Sequence, residues 1–151
     1  MKPKILRRES YLEMIENSVG TKMFRSLFVE QDGERFDALR GGELSCAVFV
    51  SSVLTLHGLI DAPHATVRRT VDELKRAGWQ PLEESRPGAV VVWKDREYDD
   101  GEVHGHIGFV VSADEAVSTS YRSKEVVRHA MNELDGEREV ESFWWHPNLD
   151  A

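Results

Sequence analysis

A single cysteine in 151 residues excludes any intramolecular disulfide, so the chain has to be held together by a packed core. One unpaired thiol is the chemistry of a reducing compartment. Basic residues are also short: Lys and Arg total 19 against 27 Asp and Glu, a formal charge of -8, which argues against a protein that grips the nucleic-acid phosphate backbone. No run approaches the roughly 20 apolar residues of a membrane-crossing helix. The opening MKPKILRRESYLEMIE has no apolar stretch of a secretory leader and no small-residue cleavage site, so the expected location is cytoplasmic. Repeats and low-complexity tracts are absent as well. A single domain over 1–151 is expected, with an N-terminal helical part over 1–40, a central part over 41–121 and C-terminal strands over 122–151.

What the chain does contain is 40% apolar residues, enough for a sizeable core in one domain. Tyr11, Leu12, Ile15 and Val19 fall on one helical face, with Ser10 as N-cap and Gly20 as the stop. TKMFRSLFVE is ambiguous between helix and strand, and QDGER reads as a turn. CAVFVSSVLTLHG is too long an apolar run for most strands and reads as a buried helix from Cys46, closed by Gly58. Pro63 then opens a second amphipathic helix carrying Val67, Val71, Leu74 and Ala77. From Gly88 onward the pattern turns to strands: AVVVWK, HIGFVV, AVSTS, EVVRHA and EVESFWW. Helices first and strands afterwards predict an α+β fold, with helices packed on a mostly antiparallel sheet of about five strands. The acidic stretch DREYDDGEVHG is the predicted loop between the first two of these strands and a candidate rim for a site.

Cys46 falls in the first turn of the buried helix, just after GGELS. Free backbone N–H groups there favour a thiolate and can hold the oxyanion of an acyl intermediate, while Gly41 and Gly42 let the chain bend and a substrate approach the backbone. A thiol nucleophile needs a base, and six histidines are available. His57 lies at the far end of the helix, His64 in the turn after it, and His129 and His146 late in the chain without a visible link to a cleft. His104 and His106 open an apolar strand, where His106 shares a face with Gly108 and Ile107 and Phe109 take the other. A face kept open by glycine is where a histidine is expected to meet the thiol. His104 and His106 near Asp99, Asp100 and Glu102 follow no recognised ligand spacing, so no metal is expected.

The order of these signals resembles a family. A Gly-Gly turn, SCAVFVSSVL, SRPGAVVVWK and then HIGFVVSADEAVSTS look like the NlpC-type cell-wall peptidases of the papain-like superfamily, over roughly Arg40 to Tyr121. The joint order carries the likeness, since each motif alone is short. The resemblance implies a papain-like fold, Cys46 as nucleophile, His106 as general base, and Ser118 at the position of the polar residue that orients the imidazole. Serine accepts a hydrogen bond there but brings no charge. Ser45 stands where the family usually has aspartate, and Ala89 where it has the acid of Pro-Gly-Asp.

The expected function is a cysteine hydrolase, endopeptidase or amidase, cleaving an amide in a peptide or cell-wall-derived fragment through an acyl-enzyme on Cys46, with no cofactor. Gly42, Ser45, His104 and Trp93 are the expected substrate-contacting residues. A papain-like binding module without turnover, and an acyltransferase or deamidase on the same pair, are the alternatives.

Overall fold

The structure is a computed structural model, and it describes residues 1–150. Helix α1 covers Arg7–Asn17 and is followed by a hairpin of β1 (Phe28–Gln31) and β2 (Glu34–Asp37). Then come α2 (Cys46–Leu56) and α3 (Val67–Arg76). The strands β3 (Gln80–Leu82), β4 (Val90–Glu97), β5 (Val103–Val110), β6 (Glu115–Thr119), β7 (Val126–Ala130) and β8 (Val140–Trp145) complete the chain. They form one sheet in the order β3-β8-β4-β5-β6-β7, every neighbouring pair antiparallel. The fold is therefore α+β as expected. The main sheet has six strands rather than about five, and the hairpin lies inside the part expected to be helical.

Several element ends differ from expectation for local reasons. Ser10 does not cap α1, because its N–H donates to Leu6 O at 3.0 Å and the helix starts at Arg7. The second amphipathic helix starts at Val67 instead of Pro63, where the Thr66 side chain accepts from Arg69 N and caps it. Paired strands absorb most of the acidic stretch, since β4 runs to Glu97 and β5 begins at Val103. QDGER contributes only its central residues to a turn, with Gln31 and Glu34 paired across it.

Helix α2 begins where the sequence places it. Gly41 and Gly42 precede it at φ 66° and 111°, a backbone that residues with a Cβ rarely adopt, and a Cβ on Gly42 would lie 2.9 Å from Lys124 Cβ. The helix buries Ala47, Phe49, Val50, Val53 and Leu54. Phe49 packs edge-on against Phe109 of β5 at 5.4 Å between ring centroids, and Tyr11 of α1 meets the same ring at 5.7 Å. Tyr11 also donates its buried hydroxyl to Gly88 O at 2.8 Å, which ties α1 to the entrance of β4. Opposite the helices, the segment after β7 lies on the sheet, where Trp93 Nε1 donates to Met131 O at 2.7 Å. Both faces of β4 and β5 are thereby covered.

Candidate active site

Cys46 is the first residue of α2 and is half-buried, lining a groove of about 720 Å³ between α2, α3 and the sheet. The groove also takes in Val67 and Lys75 of α3, Tyr98 after β4, His104 of β5 and Trp144 of β8. Burial pushes the Cys46 thiol above its ordinary pKa. The backbone N–H groups of Ile107, Ala47 and Cys46 itself, and the charge of Arg138, pull the other way without cancelling it. A neutral thiol at rest follows. The Ile107 backbone that acts on the thiol belongs to the residue after His106 on β5.

His106 turns its ring toward Trp93. It pairs across the sheet with Trp93, its ring 5.0 Å from the indole, and a Cβ on neighbouring Gly108 would collide with Ser118 Cβ and the Trp93 ring. Ile107 and Phe109 face the helices instead. The glycine on the histidine's face thus makes room for Ser118 and Trp93, not for a helix. His106 is 2% exposed, and burial, reinforced by the charges of Arg138, His129 and Arg96, holds its pKa well below the ordinary 6.5.

Ser118 Oγ lies 2.9 Å from His106 Nε2. The same hydroxyl lies 2.7 Å from His129 Nε2, and His129 Nδ1 lies 2.7 Å from Ala130 O. Three strands therefore contribute to one chain of polar groups: His106 from β5, Ser118 from β6, His129 from β7. The hydrogen bonds of His106 run along this chain and none joins it to Cys46. His129 carried no signal in the sequence beyond its place in a strand.

Of the four expected substrate-contacting residues, only His104 lines the groove. Trp93 is 1% exposed on the other side of the sheet and cannot form a wall; Trp144 does so from β8, beneath the ammonium of Lys75 at 5.8 Å. Ser45 is 1% exposed and donates its hydroxyl to Gly42 O at 3.2 Å, so it holds the turn before α2 rather than meeting a substrate. Gly42 is itself buried against Lys124 and Arg25. Its side-chain-free surface serves packing.

His104 edges the Tyr98 ring at 4.8 Å, and its Nε2 lies 3.0 Å from Glu102 Oε2 without hydrogen-bond alignment. Asp100, Glu102 and His104, three of the residues whose sequence spacing follows no recognised ligand pattern, come together within 4.8 Å. Arg40 already binds Asp100 at 3.3 Å and Glu102 at 2.9 Å, so a cation fills that corner in the form of a guanidinium. A second arginine is buried nearby. Arg138, 4% exposed, donates from Nε to Leu134 O at 3.3 Å and from Nη2 to the Tyr98 hydroxyl at 3.0 Å, while its Nη1 has no partner. Its charge acts on the Cys46 thiol and on the His106 ring alike.

Among the described residues no helix is long and apolar enough to cross a membrane. Comparison with models of known protein families gives no match, and comparison with curated proteins gives none either.

Proposed function

We propose that this protein is a cysteine hydrolase that cleaves an amide bond in a peptide, cell-wall-derived fragments included, on a papain-like arrangement of Cys46, His106 and Ser118. The observation that carries the reading is the chain from His129 through Ser118 to His106, which ends one residue before Ile107, the residue whose backbone acts on the Cys46 thiol. Such a chain holds an imidazole neutral and in one orientation, which is what a general base requires.

As the Cys46 sulfur attacks the amide carbonyl, His106 takes the thiol proton and an S–C bond forms. The carbonyl oxygen becomes an oxyanion, held by backbone N–H groups at the start of α2. Collapse of the tetrahedral adduct breaks the C–N bond, and the proton on His106 goes to the leaving amine. Water, deprotonated by His106, then attacks the thioester, releasing the acid and restoring the thiol. A groove of about 720 Å³ is of the size that accepts a small peptide. The raised thiol pKa gives this pair a neutral ground state rather than a thiolate–imidazolium pair.

The test uses p-nitrophenyl acetate and intact-mass analysis. Wild type is expected to acetylate at Cys46 with release of nitrophenol and slow turnover, Cys46→Ala to lose the adduct, and His106→Ala to acylate about 10²-fold more slowly or worse. Equal acylation rates in wild type and His106→Ala would remove His106 from the mechanism. No acylation of folded wild type would favour the binding module, which the upward push on the Cys46 thiol pKa supports.

A further inference from the structure

We propose that His129 is a positioning residue that fixes, through Ser118, which nitrogen of His106 carries the proton. The inference deepens the proposed hydrolase and rests on it for its catalytic meaning, but the geometry behind it does not involve the thiol.

The direction of each hydrogen bond follows from what each atom is able to do. Ala130 O only accepts, so the 2.7 Å contact with His129 Nδ1 puts the proton of that ring on Nδ1. A neutral imidazole has one N–H, which leaves a lone pair on His129 Nε2. Ser118 Oγ lies 2.7 Å from that lone pair and donates its only proton to it. Toward His106 Nε2, 2.9 Å away, Ser118 is left as an acceptor, so Nε2 carries the His106 proton and Nδ1 carries the lone pair. A carbonyl three groups away thereby sets the form of the His106 ring.

Both rings sit where the neutral form is favoured. Ser118 is fully buried and His106 nearly so, Arg138 acts on both histidines, Arg96 acts on His106, and His129 is faced by Asp135 and by the carbonyls of Ala130 and Glu133. The arrangement is also reversible. A group at position 129 that only donates, protonated His129 included, would turn the Ser118 hydroxyl round to donate to His106 Nε2. The ring proton would move to Nδ1, and the ring nitrogen left free by the chain would no longer be a base. Serine is the side chain suited to this relay, since one hydroxyl both accepts and donates.

The test is the histidine side-chain spectrum of the uniformly ¹⁵N-labelled full chain near pH 7.5, using long-range ¹H–¹⁵N correlations, which separate the two tautomers. Expected in wild type are His106 protonated on Nε2 and His129 protonated on Nδ1; His106 protonated on Nδ1 overturns the proposal without any variant. His129→Phe removes the acceptor and is expected to shift the His106 population toward Nδ1–H, whereas His129→Gln, whose side-chain oxygen can accept from Ser118, keeps Nε2–H. An unchanged His106 ratio in folded His129→Phe also overturns it. The rate of Cys46 acylation by p-nitrophenyl acetate is expected to fall severalfold in His129→Phe, in step with the lost tautomer, and to recover in His129→Gln. If the tautomers are as expected and wild type is never acylated, the hydrolase reading fails while the relay stands.

Discussion

Cys46 and His106 are each pushed toward the uncharged form by burial, and one buried arginine acts against this at the thiol and with it at the imidazole. Arg138 lowers the pKa of both groups, which favours a thiolate on one and a neutral ring on the other. Removing its charge in Arg138→Met is expected to move the alkaline rise of Cys46 alkylation by iodoacetamide to higher pH, while Arg138→Lys keeps it near the wild-type position. Coincident profiles for Met and wild type would take Arg138 out of the account. Wild type itself should show no plateau of reactivity below neutral pH, since such a plateau belongs to thiols whose pKa is depressed.

Helix α2 places the thiol, and its hold on the groove runs through one hydroxyl. Ser51 Oγ accepts from His64 N at 2.8 Å and lies 2.6 Å from Ala47 O, joining the turn before α3 to the buried face of α2. Ala65, Thr66 and Val67, just beyond that turn, form part of the groove wall. Ser51→Ala leaves the His64 N–H without its partner and is expected to cost about 1–3 kcal/mol in urea denaturation. It should also loosen the wall, seen as faster amide exchange at residues 64–67; unchanged stability and exchange would mean that the turn is held by other contacts. The start of α2 was legible because a long apolar run preceded by two glycines and a serine has few other readings. The hairpin of β1 and β2 was not legible, because its four-residue strands are mostly exposed and carry no alternation of apolar and polar residues. β3 is shorter still. The period of two correctly put His106 with Gly108, yet it could not say which face meets the helices, because β5 is buried on both sides from His106 to Val110. His129 depends on the register between β6 and β7, where Ala116 pairs with His129 and Ser118 with Val127, and no single-strand pattern encodes that.

For the whole molecule the buried histidines make stability fall as the solution is acidified, and the order in which groups titrate gives the curve its shape. His106 and His129 both have folded pKa values below the ordinary 6.5, so below that pH the unfolded chain takes up protons that the folded chain refuses. Stability then rises with pH in this window and falls with acid, by at most about 1.4 kcal/mol per pH unit for each ring. Carboxylates act in the same sense but later. Glu73 is held below its ordinary value first by its hydrogen bond with His64, and Asp37 is held at about 2 because the N–H groups of Leu27, Leu39 and Gly41 outweigh desolvation. Their contribution is complete above the ordinary carboxylate range and is lost only as the pH drops through and below it. Urea midpoints measured from pH 7.5 to 3 are therefore expected to decline in two stages, and His106→Gln, which cannot take up a proton, should shrink the first stage to what His129 carries and leave the second. A wild-type midpoint that stays level between pH 7 and 5.5 would show that His106 accepts its proton inside the fold, and the neutral relay that ties β5, β6 and β7 together would then have to be abandoned.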